Sequence, residues 1–241
     1  MKKTLAIWIL FLSSLLFIQL KKTNHTTPVL RTEQKTSSSG IHYSLFYQDK
    51  LKMDFETKRP DKKDPTIYLC IAAAFTKLTD YTIDGTYVEN GKAYNQKATN
   101  YTLGGGIKII DNTCEIFPTH KGKLINDSLL NLISTKKGSF FQQIQMIENG
   151  KAANFIDKKL FQRRGIAIFK NGSTAIIESK EAITLAVFAK DLVSMNVYNF
   201  LYTDMGSWDE GWVRKSNSEI TIIGQNLSET KYQSNWIVFR K

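Results

Sequence analysis

Residues 165–206, GIAIFKNGSTAIIESKEAITLAVFAKDLVSMNVYNFLYTDMG, decide how this chain folds. Two short apolar runs, 165–169 and 174–178, flank Lys170-Asn171-Gly172-Ser173. Asn-Gly readily takes the left-handed backbone of a tight hairpin turn, so the runs read as a β-hairpin. Residues 184–193 then place Leu185, Phe188, Ala189 and Leu192 on one face of a helix. A further apolar run, 198–203, is a strand that ends at Asp204. Hairpin, helix and strand in that order predict an α+β domain.

The stretch upstream is richer in strands. Residues 41–46 and 51–57 alternate apolar and polar side chains around Gln48-Asp49, which predicts an opening hairpin. A charged turn over 61–65 precedes 67–75, an almost unbroken apolar run that reads as a central strand covered on both faces. Glu-Asn-Gly-Lys occurs twice, at 89–92 after Tyr87-Val88 and at 148–151 after FFQQIQMI at 140–147. That run fits strand or helix by period and reads as a strand because of the turn. The repeat hints at two related hairpins. Gly104, Gly105 and Gly106 open a strand over 107–110, which turns at Asp111-Asn112 into 114–117. The triple glycine lacks the Lys-Ser/Thr of a P-loop and leads into a strand, so it reads as backbone packed closely at a bend. Residues 126–133 are a short helix, and 220–223 and 236–239 are closing strands. The expectation is a strand-rich, mixed-sheet α+β domain with few helices over residues 41–241.

With 241 residues, 42% of them hydrophobic, the chain can bury a core as one large domain. Its +11 net charge divides into +5 over residues 1–40 (six bases against Glu33) and +6 spread over the rest. No run of Lys or Arg exceeds two, which excludes the clustered footprint of a nucleic-acid binder. Such a surface suits anionic polymers or phosphate-bearing substrates, and equally plain solubility. Residues 5–20 are apolar except for Ser13, Ser14 and Gln19, and lysines bracket them. No small-x-small cleavage site follows, so residues 1–22 read as a signal anchor, or a signal peptide, of an exported and membrane-attached protein. Residues 23–40 are polar and aperiodic, a linker by composition. In an exported domain Cys70 and Cys114 are allowed a disulfide, although the apolar setting of Cys70 fits a buried thiol as well. The three histidines are scattered, and neither a metal site nor a cofactor is indicated.

The strand ending at Asp204 delivers a carboxylate to a loop holding Gly206, Trp208, Asp209, Glu210 and Trp212. A carboxylate on a glycine-loosened loop edged with aromatics suits sugars or phosphates. Arg163 and Arg164, at the hairpin entry, can hold phosphate through the planar guanidinium fork. The plainer alternatives are surface charge for the arginines, a turn cap for Asp204, solvated acids at 209 and 210, and a packed lid for the tryptophans.

The order of these pieces resembles the phosphodiester glycosidase family over residues 67–206. Its marks are the apolar strand ending in small residues, then YVENGK at 87–92 and the glycine bend at 104–106. They continue with Gln162-Arg163-Arg164 before the hairpin strand and the helix feeding Leu201-Tyr202-Thr203-Asp204-Met205-Gly206. The family's Ile-Asn-x-Gly-x-Phe is here Ile71-Ala72-Ala73-Ala74-Phe75-Thr76. Gln142-Gln143-Ile144-Gln145 stands where Gly-Pro is usual, and Asp-Gly-Gly has become Asp204-Met205-Gly206. The resemblance implies hydrolysis of a sugar-1-phosphodiester or related phosphate-linked glycan outside the cytoplasm. It casts Asp204 and Arg163 as catalytic, with Arg164, Gly206, Trp208, Asp209, Glu210 and Trp212 around the substrate. With an alanine patch in place of the family's amide and glycine, a silent relative that binds surface glycans is the other reading. A structural envelope domain without a small ligand is the third.

Overall fold

The computed structural model describes residues 30–206, 209–215, 219–224 and 229–241. The signal-anchor expectation over 1–22 lies outside these residues, and among them no helix is long and apolar enough to cross a membrane. Among the described residues, three sheets and two α-helices make up the strand-rich α+β domain expected, with every described strand pairing antiparallel rather than mixed. Short connections favour antiparallel neighbours, because a parallel pair needs a long crossover.

The first sheet contains β1 (Arg31–Thr36), β2 (His42–Tyr47), β10 (Gln145–Glu148), β11 (Lys151–Ala152), β12 (Arg164–Phe169), β13 (Thr174–Ser179) and β14 (Val197–Tyr202). Their order is β1-β2-β13-β12-β14-β10-β11. The second sheet is built from β3 (Lys52–Glu56), β4 (Ile67–Ala72), β15 (Gly211–Arg214), β16 (Ile220–Ile223) and β17 (Trp236–Arg240). Its order, β16-β15-β4-β17-β3, puts β4 at the centre with all six residues buried, as its apolar run predicts. In the third, β6 (Lys92–Tyr94), β5 (Tyr87–Glu89), β9 (Ser139–Gln143), β7 (Gly105–Ile110) and β8 (Thr113–Pro118) lie side by side in that order.

One core is shared by all three sheets. It joins Ile166, Ile176 and Leu201 of the first to Leu69, Ile71 and Ile237 of the second and Ile107 and Phe141 of the third. A second core lies on the other face of the seven-stranded sheet, where Phe188, Ala189 and Leu192 of α2 (Leu185–Ser194) cover Ala167, Ile177 and Phe200. Thr184 caps α2, its side chain accepting from the Val187 N–H. Asn126 does the same for α1 (Asp127–Thr135) through Leu129.

Both Asn-Gly-Lys turns close hairpins with left-handed backbone, at Asn90 (φ 48°) and Gly91 (φ 81°) and at Asn149 (φ 50°) and Gly150 (φ 76°). The glycine bend is close-packed as expected. A Cβ on Gly105 would come within 2.6 Å of the Gln145 Cβ, and one on Gly106 within 2.7 Å of the Phe140 ring.

Two expectations need correction. Strands β2 and β3 do not pair: β2 lies between β1 and β13, and β3 joins β17 in another sheet. Alternation identifies a strand but not its neighbour, and the neighbour here is β1, drawn from the stretch read as linker. The run 140–147 is likewise not one strand. Ser139–Gln143 belongs to the third sheet and Gln145–Glu148 to the first, with Ile144 between them.

Candidate functional site

The end of β4, the start of β12 and the end of β14 meet at one edge of the shared core. There the backbone N–H of Asp204 donates to Ala73 O (2.9 Å), and the Thr76 N–H donates to Asp204 Oδ2 (2.9 Å). Asp204 is 6% exposed, so the carboxylate that follows β14 is fixed against the alanine strand and largely withdrawn from water. Ala72, Ala73 and Ala74 are buried. An amide does reach them, from another part of the chain. Buried Asn235 accepts from Ala74 N–H at Oδ1 (2.7 Å) and donates through Nδ2 to Ala74 O (3.1 Å). Both ends of that amide are spent on backbone, so it braces the strand end.

The two arginines are buried, not surface charges, at 4% and 0% exposure. Side chains in extended chain alternate, so neighbours turn to opposite faces. Arg163 faces the helix-covered core. It donates from Nε to Ile183 O (2.9 Å), from Nη1 to the Tyr202 hydroxyl (3.1 Å) and from Nη2 to Lys159 O (2.7 Å). Burial pushes the Tyr202 phenol up although Arg163 pulls it down, so it stays neutral and accepts that bond. Arg164 faces the other way. Its Nε donates to Glu178 Oε2 (2.6 Å) and its Nη1 to Asp209 O (3.0 Å). Glu178 is itself buried, which makes Arg164–Glu178 a charge pair enclosed by protein.

The acids of the following loop separate. Asp209 is 2% exposed rather than solvated, and lines a small cavity of about 110 Å³ with Gln162, Ala182, Met205 and Gly206. Glu210 accepts from Arg59 (2.8 Å) and from Lys62 on the outer face of the second sheet. Trp212 is buried there against Ile67, Cys70 and Trp236, beside a larger cavity of about 390 Å³ that Glu210 also lines. Trp208 lies outside the described residues. Gly206, Asp209, Asp204 and Arg164 are therefore brought to one place, while Glu210 and Trp212 belong to another.

Both cysteines are free. Burial pushes both thiols up, so neither is a disulfide half nor an activated nucleophile. Among the described residues no group of three or more His, Cys, Asp or Glu is placed to hold a metal ion.

Sequence reasoning missed Glu178, Asn235 and Thr76. It also missed a stacked pair, Tyr81 and Tyr232, with ring centroids 4.0 Å apart. Tyr81 has a left-handed backbone (φ 57°), costly for a bulky residue. The pair stands on loops whose bases join where Thr76 Oγ1 meets Ser234 Oγ at 2.9 Å.

No protein-family model matches this sequence, and no curated protein does. Solved structures do match in fold. One is the catalytic domain of zebrafish N-acetylglucosamine-1-phosphodiester alpha-N-acetylglucosaminidase, auto-inhibited by its pro-peptide. The match has a TM-score of 0.61 and 10% identity, covering 90% of this chain and 85% of that one. Another is a hypothetical protein from Synechocystis, with a TM-score of 0.57 and 11% identity over 90% of this chain and 64% of that one. The relationship these values support is a distant one of fold.

Proposed function

We propose that this is an exported, phosphodiester glycosidase-like hydrolase that cleaves a sugar-1-phosphodiester or a related phosphate-linked glycan. The observation that carries the reading is Asp204. In a fold like that of the zebrafish enzyme domain, the buried carboxylate of Asp204 follows β14, and the neighbouring strand β12 begins at buried Arg164. The Arg164 guanidinium holds the backbone of a second buried acid, Asp209. Cleavage at the anomeric carbon expels a phosphate that is already a weak base. The main demands are then positive charge near phosphate and a carboxylate near the oxocarbenium-like centre.

In this reading Asp204 stabilises that centre or activates water. Arg163 supplies charge to the phosphate, since Nη1 and Nη2 each carry a second hydrogen beyond the bonds to Tyr202 and Lys159. Arg164, held by Glu178, carries positive charge toward the Asp209 backbone, and Gly206 and Asp209 wall the space for the sugar. Trp208 serves as a stacking platform, and Glu210 with Trp212 forms an outer contact for the rest of the glycan. The apolar run near the N-terminus and its lysines support export and attachment to a membrane.

A second reading, a silent relative that binds surface glycans, is favoured by one observation. The alanine patch carries no polar side chain toward Asp204, and the Asn235 amide that reaches it is bonded to Ala74 and Ser234. Incubating the protein and its Asp204→Asn variant with a panel of sugar-1-phosphodiesters separates the two. Hydrolysis that Asp204→Asn abolishes supports the enzyme, and hydrolysis that it leaves unchanged removes Asp204 from the site. Binding without hydrolysis in the unmodified protein moves the conclusion to the second reading.

A further inference from the structure

The small cavity beside Gly206 is walled by a polar side chain that no described residue satisfies. Gln162 is 7% exposed, and its Oε1 has no hydrogen-bond partner among the described residues. An unpaired buried acceptor is costly to keep, whereas an apolar group of the same shape in its place is neutral or stabilising. The neighbouring arginines are mostly paired, Arg164 Nη2 meeting only its ion-pair partner Glu178. Arg163 and Arg164 on either side of the same backbone make five hydrogen bonds between their side chains and the protein.

The surroundings suit a ligand. Gln162, Phe161 and Asp209 all line the cavity, with the Arg163 guanidinium carbon 5.2 Å from the Phe161 ring centroid and Arg164 Nη1 on the Asp209 carbonyl. Gly206 has nothing among the described residues within 4 Å of where a Cβ would stand. Phe161 and Leu160, on the rim, are exposed by 41% and 62%. A cavity of about 110 Å³ admits a substituent or one side of a sugar ring, with the rim offering apolar surface to the ring's C–H face.

We propose that Gln162 Oε1 accepts a hydrogen bond from a donor on the ligand, a sugar hydroxyl or an acetamido N–H, and that Gln162 determines which sugar is taken. This rests on the glycan reading above. A site built to hydrogen-bond one group rejects the analogue that lacks it, because its own polar atom is then left unpaired in the complex.

The test uses the full chain and Gln162→Met, close in volume but without the amide. Thermal melting comes first. An unchanged or higher melting temperature agrees with an amide kept for binding, and a fall of several degrees overturns the proposal by giving Gln162 a structural role. The second readout is the kcat/KM, or the binding constant where there is no turnover, for methyl phosphodiesters of N-acetylglucosamine-1-phosphate, glucose-1-phosphate and its 2-, 3-, 4- and 6-deoxy forms. The unmodified protein should discriminate against one of these changes by 100-fold or more, and Gln162→Met should reduce that ratio to under tenfold while leaving the others. An identical profile in both proteins overturns the role of Gln162 and leaves the glycan reading standing. Failure of the unmodified protein to bind or cleave any member overturns both.

Discussion

Arg164–Glu178 and the Arg59–Lys62–Glu210 cluster are both cation–carboxylate groupings close to the same loop, yet they obey different physics. The first is enclosed, with side-chain exposures of 0% and 2%. In the second Glu210, itself 12% exposed, is flanked by two cations that are 42% and 45% exposed. Water and salt screen the outer cluster, so its attraction is offset by hydration and by the entropy of two long side chains. The inner pair has surrendered its hydration, and removing either partner strands a charge in the core. A carboxylate beside an arginine therefore means one thing at the edge of the shared core and another on the outer face of the second sheet.

That contrast can be broken or sharpened. The largest effect is expected at the inner end, where Asp204→Asn should lower turnover of a sugar-1-phosphodiester about 1,000-fold with the fold retained. Activity assays beside circular dichroism check it. Glu178→Gln should come next, with a loss of about 3–5 kcal/mol in denaturant-measured stability, because Arg164 is left buried and unpaired. Glu210→Gln should cost about 1 kcal/mol or less, a difference that shrinks as salt is raised. Equal costs for Glu178→Gln and Glu210→Gln would erase the distinction. The smallest effect belongs to Asp49, whose carboxyl the hydrogen-bonding Arg31 guanidinium holds below the usual range. Its contribution is present above the unfolded value near pH 3.9 and is lost as pH falls through the lower folded value. Asp49→Asn should remove under about 1 kcal/mol at pH 7 and progressively less as the pH falls through the folded value.

The sequence made the β12–β13 hairpin legible because Asn171-Gly172 announces its own turn, and α2 because its apolar residues repeat at helical spacing. Asp204 was visible for a similar local reason, as the first charge after an apolar strand. Glu178 left a signal that was passed over. It is an acid in an otherwise apolar strand, and counting outward from the turn sets it opposite Arg164, where the register places it. The brace between Asn235 and Ala74 left no such signal, since 161 positions separate the partners and nothing in the alanine patch points to Asn235. The departure of β3 from β2 was hidden for the same reason. Alternation reports burial on one face, whereas partner choice depends on strands far away in the chain.

The passage of one stretch of chain through two sheets has a mechanical consequence. Between Ser139 and Glu148 the backbone leaves the third sheet at Gln143 and enters the first at Gln145. Like a splice joining two ropes, it puts both ladders under any tension applied along it, so neither sheet can be peeled away while the other stays at rest.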